Sequence, residues 1–202
     1  MDCKEHWETV YATKGVTEVS WFESEPLVSL DLIEVASLAH GRIIDIGGGA
    51  SILVDRLLDR RFEKIAVSDI SATALERSKS RLGDSASQVN WIVADVTTVE
   101  SVGQFDVWHD TAVFHFLTDP EDRRKYVGLA SRTIPVGGHV VIGTFAIEGP
   151  PQCSGLDVCR YDAQTLKSEL GESFRLAKEV AHEHITPWGK PQQFFFGVFQ
   201  RR

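Results

Sequence analysis

The stretch from Arg42 to Leu58, RIIDIGGGASILVDRLL, limits the architecture of this chain most. Ile43, Ile44 and Ile46 form a short β-branched run that reads as a buried strand. Gly47, Gly48 and Gly49 follow at once, and Leu53, Leu57 and Leu58 then recur at helical spacing. A strand that turns through bare backbone into a helix opens a crossover unit. Its backbone N–H groups face a crevice, where they can hold a phosphate or let an uncharged part of a ligand approach closely.

The same alternation continues along the chain. KIAVSDI (64–70), VNWIVAD (89–95), FDVWHD (105–110) and GGHVVIGTF (137–145) read as further strands. Between them, SATALERSKSRLG (71–83) is helical, with Ser71 as its N-cap and Gly83 closing it. PEDRRKYVGLASRTI (120–134) is a second such helix, starting at Pro120 and stopping before Pro135. Strands that alternate with helices imply a parallel sheet covered on both faces. The tail differs. After a helix at 163–171, residues 174–186 and 193–202 read as two strands joined by PWGKPQ, too short for a crossover, so an antiparallel hairpin is expected. Two helices, CKEHWETVYATKG and PLVSLDLIEVASLAHG, precede the first strand and are joined by an extended VTEVSWFES.

Composition narrows the function classes. The 202 residues are 43% hydrophobic and 25% charged, ordinary for one α/β domain with a real core. No apolar run reaches the roughly 18 residues of a membrane span. The charged, aromatic N-terminus has no secretory pattern. Cys3, Cys153 and Cys159 do not make a disulfide framework, so a reducing cytoplasm is the expected setting. A net charge of −8 argues against a broad grip on nucleic-acid phosphates. The cluster DRRK (122–125) reads as a solvated helix face.

The glycine stretch is not the dinucleotide fingerprint, because the position of its third glycine is Ile52. Asp45 stands just ahead of the glycines, and DIGGGAS resembles the first motif of the class I S-adenosylmethionine-dependent methyltransferases, with Ser51 in place of the last glycine. Asp69 ending the second strand, Asp95 ending the third and the hairpin tail extend the resemblance over about residues 42–200. It implies an α/β, Rossmann-like fold with a seven-stranded, mostly parallel sheet, helices on both faces and the C-terminal antiparallel β-hairpin. The whole chain, 1–202, is then one domain, with an N-terminal helical lid segment at 1–40 and a cofactor-binding core at 41–202. The implied cofactor is S-adenosyl-L-methionine. Asp45, Gly47, Gly48 and Gly49 would form its loop, Asp69 and Ile70 its ribose site, and Asp95 and Val96 its adenine site. HWETVYATKGVTEVSW is similar to the aromatic lid of smaller family members. Trp7, Tyr11 and Trp21 would cover the sulfonium through cation–π contacts, or else pack on the sheet.

The acceptor would lie over the carboxyl ends of strands four and five. His109, Asp110, His115 and Phe116 are supplied there. Methyl transfer is an in-line displacement that needs positioning and often one base. His109 or His115 suits the base, since histidine titrates near neutrality. Each can instead be hydrogen-bonded within the cofactor wall, and Asp110 can instead touch the cofactor's amino group. His182 and His184 share a strand face and, with Cys153 and Cys159, raise a soft-metal site. The cysteine spacing is no zinc pattern, so these read as packing thiols and no metal is expected. The chain leaves no room for a macromolecule-binding domain, so a small-molecule methyl acceptor offering O, S or N is expected, with no nucleic acid, no membrane and a monomer or homodimer. The alternatives are a protein side-chain (lysine) methyltransferase and an inactive cofactor-binding protein. Many of the former carry Asp/Asn-Pro-Pro-Tyr where this chain reads HDTAVF.

Overall fold

Each parallel strand is followed by a segment that returns the chain to the same end of the sheet. The order is β1 (Ile43–Ile46), α3 (Leu53–Asp59), β2 (Ile65–Asp69), α4 (Ala72–Leu82), β3 (Val89–Val93), β4 (Val107–Thr111), α5 (Pro120–Thr133) and β5 (His139–Phe145). Ahead of them lie α1 (Cys3–Thr13) and α2 (Leu27–Ala36); behind them come β6 (Gln152–Cys153), β7 (Leu156–Asp157), α6 (Ala163–Leu170), β8 (Phe174–Ile185) and β9 (Pro191–Arg201). This computed structural model describes residues 3–37 and 41–202. The seven strands of the main sheet run in the order β3-β2-β1-β4-β5-β9-β8, with β9 antiparallel to both neighbours. Strand order therefore reverses between β1 and β4, which opens a crevice at their carboxyl ends.

Central strands buried on both faces are mainly apolar, and β1 and β2 are buried along their whole length, with Asp45, Ser68 and Asp69 confined to the halves nearest the carboxyl ends. On one face Leu30 and Ile33 of α2, Leu53 and Leu57 of α3 and Leu75 of α4 pack against the sheet. On the other, Tyr126 and Leu129 of α5 meet Leu166 and Leu170 of α6. The expected caps are present. Ser71 Oγ accepts from Ala74 N at 3.1 Å, and Pro120 follows the Asp119 cap, which accepts from Glu121 N at 2.8 Å.

Four details differ from the sequence-based expectation. The joining stretch after α1 holds a 3₁₀ turn at Val16–Glu18 instead of being extended throughout. The second expected helix runs over Leu27–Ala36, and its expected end at 38–40 lies outside the described residues. The segment after β5 folds into the small β6–β7 hairpin. Finally, β8 carries a bulge between Leu176 and Lys178. Before it, Phe174 and Leu176 belong to the α5–α6 face; after it, Val180 joins the α2–α3 face. One extra residue thus turns the even-numbered residues of β8 from one side of the sheet to the other. No helix among the described residues is long and apolar enough to cross a membrane.

Candidate functional site

Bare backbone is required where β1 turns. Gly47 has φ +68°, and a Cβ there would collide with Val113 Cγ2. Gly49 has φ +33°, and its Cβ would lie 2.6 Å from Asp69 Oδ2. Any larger residue is strained at both positions and fills the cradle. The turn borders a cleft of about 360 Å³ at the carboxyl ends of the strands. Gly47, Asp69, Ile70, Asp95, Val96 and Thr111 line its polar side and Trp7, Tyr11, Trp21 and Phe116 its aromatic side.

Asp69 is buried at the end of β2, and its Oδ1 accepts from Ser71 N at 2.8 Å. Burial, with the nearby charges of Asp45 and Glu8 adding to it, pushes its carboxyl up to about 7. Asp95 follows β3, and its Oδ1 accepts from both Thr97 N (2.8 Å) and Thr97 Oγ1 (2.6 Å), which fixes its rotamer.

α1 brings Trp7 and Tyr11 to one face, since residues four apart stack on a helix. The Trp7 ring lies 5.8 Å from Trp21 and 5.0 Å from Phe116, so the N-terminal segment roofs the cleft. Glu8, on the same helix, reaches the first turn of α4. Its carboxylate accepts from Ser71 Oγ (3.0 Å), Ala72 N (2.8 Å) and Thr73 N (3.3 Å). Those amides are the ones a helix cannot satisfy internally.

A second, narrower channel adjoins the cleft, lined by Ser29, Asp45, His109, Thr111 and Glu23. Here a buried relay forms across two strands, β1 and β4, and the helix α2. His109 Nδ1 lies 2.7 Å from Asp45 Oδ1, and His109 Nε2 lies 3.1 Å from Thr111 Oγ1. Ser29 Oγ lies 3.3 Å from Thr111 Oγ1. A carboxylate only accepts, so Nδ1 carries the proton and Nε2 accepts from the threonine hydroxyl. Thr111 lines both the cleft and the channel.

The other two residues read as catalytic from sequence do not join this group. Asp110 is fully buried, and its carboxylate accepts from Val113 N (2.8 Å), Phe114 N (3.1 Å) and Tyr126 Oη (2.5 Å). Strand alternation turns it to the face opposite His109, where it holds the turn that leaves β4. His115 is also fully buried. Its Nδ1 accepts from Phe145 N at 3.3 Å, and burial lowers its pKa to about 3, so the ring is neutral. Neither lines the cleft or the channel. Sequence reading passed over Thr111, Ser29 and Glu8. Thr111 was findable, standing two residues after His109 on the same face of a strand.

The geometry agrees with what this chain is similar to. A family model described as "Methyltransferase domain" matches residues 43–138. Nodulation protein S of Rhizobium tropici is 30% identical over 111 residues, 54% of this chain and 46% of that protein. Malonyl-[acyl-carrier protein] O-methyltransferase 1 of Ilyobacter polytropus is 28% identical over 178 residues, 85% of this chain and 62% of that protein. The chain thus spans about half to three-fifths of the length of these relatives. Among solved structures, N-methyltransferase NodS of Bradyrhizobium japonicum in complex with S-adenosyl-L-homocysteine has a TM-score of 0.73. It is 16% identical, with 99% of each chain covered, a likeness that speaks for the fold. Over residues 43–138 the chain is thus similar to a methyltransferase domain, and its sheet order, glycine turn and strand-end acids agree with the class I, Rossmann-like fold of the S-adenosylmethionine-dependent methyltransferases.

Proposed function

We propose that the chain binds S-adenosyl-L-methionine and transfers its methyl group to an O, S or N atom of a small molecule. The observation that carries this reading is the cleft itself: a strand-end carboxylate, a glycine cradle and an aromatic roof around one space. The residues fit the cofactor. Asp69 offers two oxygens to a ribose cis-diol, and Asp95 and the Val96 N–H stand one strand further on for adenine. The faces of Trp7, Tyr11 and Trp21 suit a cation. When bound, S-adenosylmethionine supplies a methyl carbon activated by positive sulfur.

The chain's own groups then position and deprotonate. Thr111 lies where the cleft meets the channel, so it accepts the acceptor's proton as its own hydroxyl proton passes to His109 Nε2. Asp45 stabilises the imidazolium that results. The aromatic roof excludes water from the reacting atoms. Asp110 and Tyr126 support the turn and touch no substrate. Two further features favour a small acceptor: no Asp/Asn-Pro-Pro-Tyr follows β4, and the channel is narrow. The reading includes a cytoplasmic setting, supported by too few cysteines for a disulfide framework, and a monomer or homodimer.

Calorimetry with S-adenosylmethionine, S-adenosylhomocysteine and a nicotinamide dinucleotide tests the cofactor, with binding expected for the first two alone. A labelled-methyl screen across thiols, phenols, amines, carboxylates and proteins tests the acceptor. Label appearing only on protein substrates would overturn the small-molecule reading.

A further inference from the structure

Outside the cleft, two histidines and one glutamate converge from opposite ends of the chain. The β8 bulge turns His182 and His184 toward the N-terminal segment, whereas the unbulged register would send them to the other face. There His184 Nδ1 lies 3.2 Å and His182 Nε2 3.4 Å from the same oxygen, Glu23 Oε1. One ligand atom from each residue falls within 4.8 Å of the others.

The protonation pattern is informative. His184 Nε2 lies 2.6 Å from the carbonyl oxygen of Ser20, and a carbonyl only accepts, so this nitrogen carries the proton. In the neutral ring, Nδ1 is then a lone pair aimed at a carboxylate oxygen. Two acceptors facing each other at this distance require a positive charge between them, either a second proton or a metal ion. The arrangement of His184 is that of a metal-bound imidazole, whose outer N–H is characteristically held by a backbone carbonyl. His182 Nε2, aimed at the same oxygen, is the additional ligand that a simple ion pair does not need. The rings of Phe194 and Phe196 flank the two histidines at about 6 Å and keep the pocket apolar.

We propose that Glu23, His182 and His184 form a binding site for one divalent transition-metal ion of the Zn²⁺ class. Two imidazoles and a carboxylate are the ligands such borderline ions take, and three protein ligands leave a position open. The cysteines suggested by sequence are not members. Burial pushes the Cys153 thiol up to about 11, so it stays protonated, and Cys159 lies beside Arg123 on the far face. The ion would clamp the segment carrying Trp21 to the C-terminal hairpin. Glu23 lines the same channel as His109 and Thr111, so the clamp stands at the edge of the site.

Full-length protein, stripped with a chelator and titrated with Zn²⁺ alone in a calorimeter, is expected to take up one ion per chain. His182→Ala and Glu23→Gln should each weaken that uptake by more than the roughly 10–100-fold typical of removing an outer-shell partner. Glu23→Gln is nearly isosteric and carries the test if His182→Ala does not fold. A Cys153→Ser/Cys159→Ser variant should bind as the parent does. With Co²⁺ in place of Zn²⁺, the visible spectrum should show a nitrogen and oxygen site with no thiolate charge-transfer band. The proposal is overturned by any of three results: no uptake at micromolar Zn²⁺, as a protonated ion pair would give, uptake indifferent to both ligand variants, or loss of uptake in the cysteine variant.

Discussion

Two side chains carry the proposed chemistry. Asp69 is buried with its carboxyl near neutrality, so the folded chain holds a proton that the unfolded chain has released. Its contribution to stability is complete below the ordinary carboxylate range and is lost as pH rises toward 7. Ribose hydroxyls donate to the ionised form, so cofactor affinity should move the opposite way. Calorimetry at about pH 6 and about pH 8 should find tighter binding at the higher pH. Asp69→Asn should flatten that profile, and Asp69→Ala should cost on the order of 1.5–3 kcal/mol for each charge-assisted bond lost. A flat profile in the parent protein would remove Asp69 from the ribose site. Thr111→Val keeps the shape and deletes the hydroxyl proposed to link the acceptor to His109. It should lower kcat by roughly 10²–10⁴ while the cofactor Kd is little changed; an unaltered kcat would leave the relay with a structural role only. That Asp69 and Asp95 stand at the cleft was legible because their place at the strand ends is local. Whether Asp110 and His115 face the cleft was not, since a polar residue at a strand exit is equally at home on a buried turn.

At the level of elements, the sheet was readable because its strands are short apolar runs between clear helix caps and glycine stops. The β8 bulge was not readable: every residue around it, from Leu176 to Lys178, suits a regular strand. The exit of β4 rests on a network that sequence also concealed. Trp108 Nε1 donates to Tyr126 Oη at 2.7 Å, and Tyr126 donates on to Asp110. The pair spans strand and α5, 18 residues apart, and burial already pushes the Asp110 carboxyl up to about 6. Tyr126→Phe would leave the indole N–H unpaired and take one donor from that carboxylate. The loss should be about 1–3 kcal/mol in denaturant unfolding, with the Asp110 pKa moving higher still. An unchanged midpoint would mean that the turn is held by its backbone amides alone.

Over the whole molecule, a ligand that binds only the folded state adds to stability by mass action. S-adenosylmethionine at about 100 times its Kd should add about 2.7 kcal/mol. For a chain of this size that is a rise in Tm of roughly 5–10 °C, and a nicotinamide dinucleotide should give none. The roof over the cleft has one further consequence. Glu8 holds α1 to the first turn of α4, and α4 hangs from the strand end that carries Asp69. The roof cannot lift without stripping that turn of its acceptor, so opening and fraying are a single event with a single rate. The amides of Ala72 and Thr73 should therefore exchange with solvent in step with the escape of bound S-adenosylhomocysteine. Glu8→Gln should quicken both by the same factor, and two different factors would separate the latch from the gate. With the ribose held as proposed, a bound molecule would leave this protein only after the ground beneath that sugar had begun to give way.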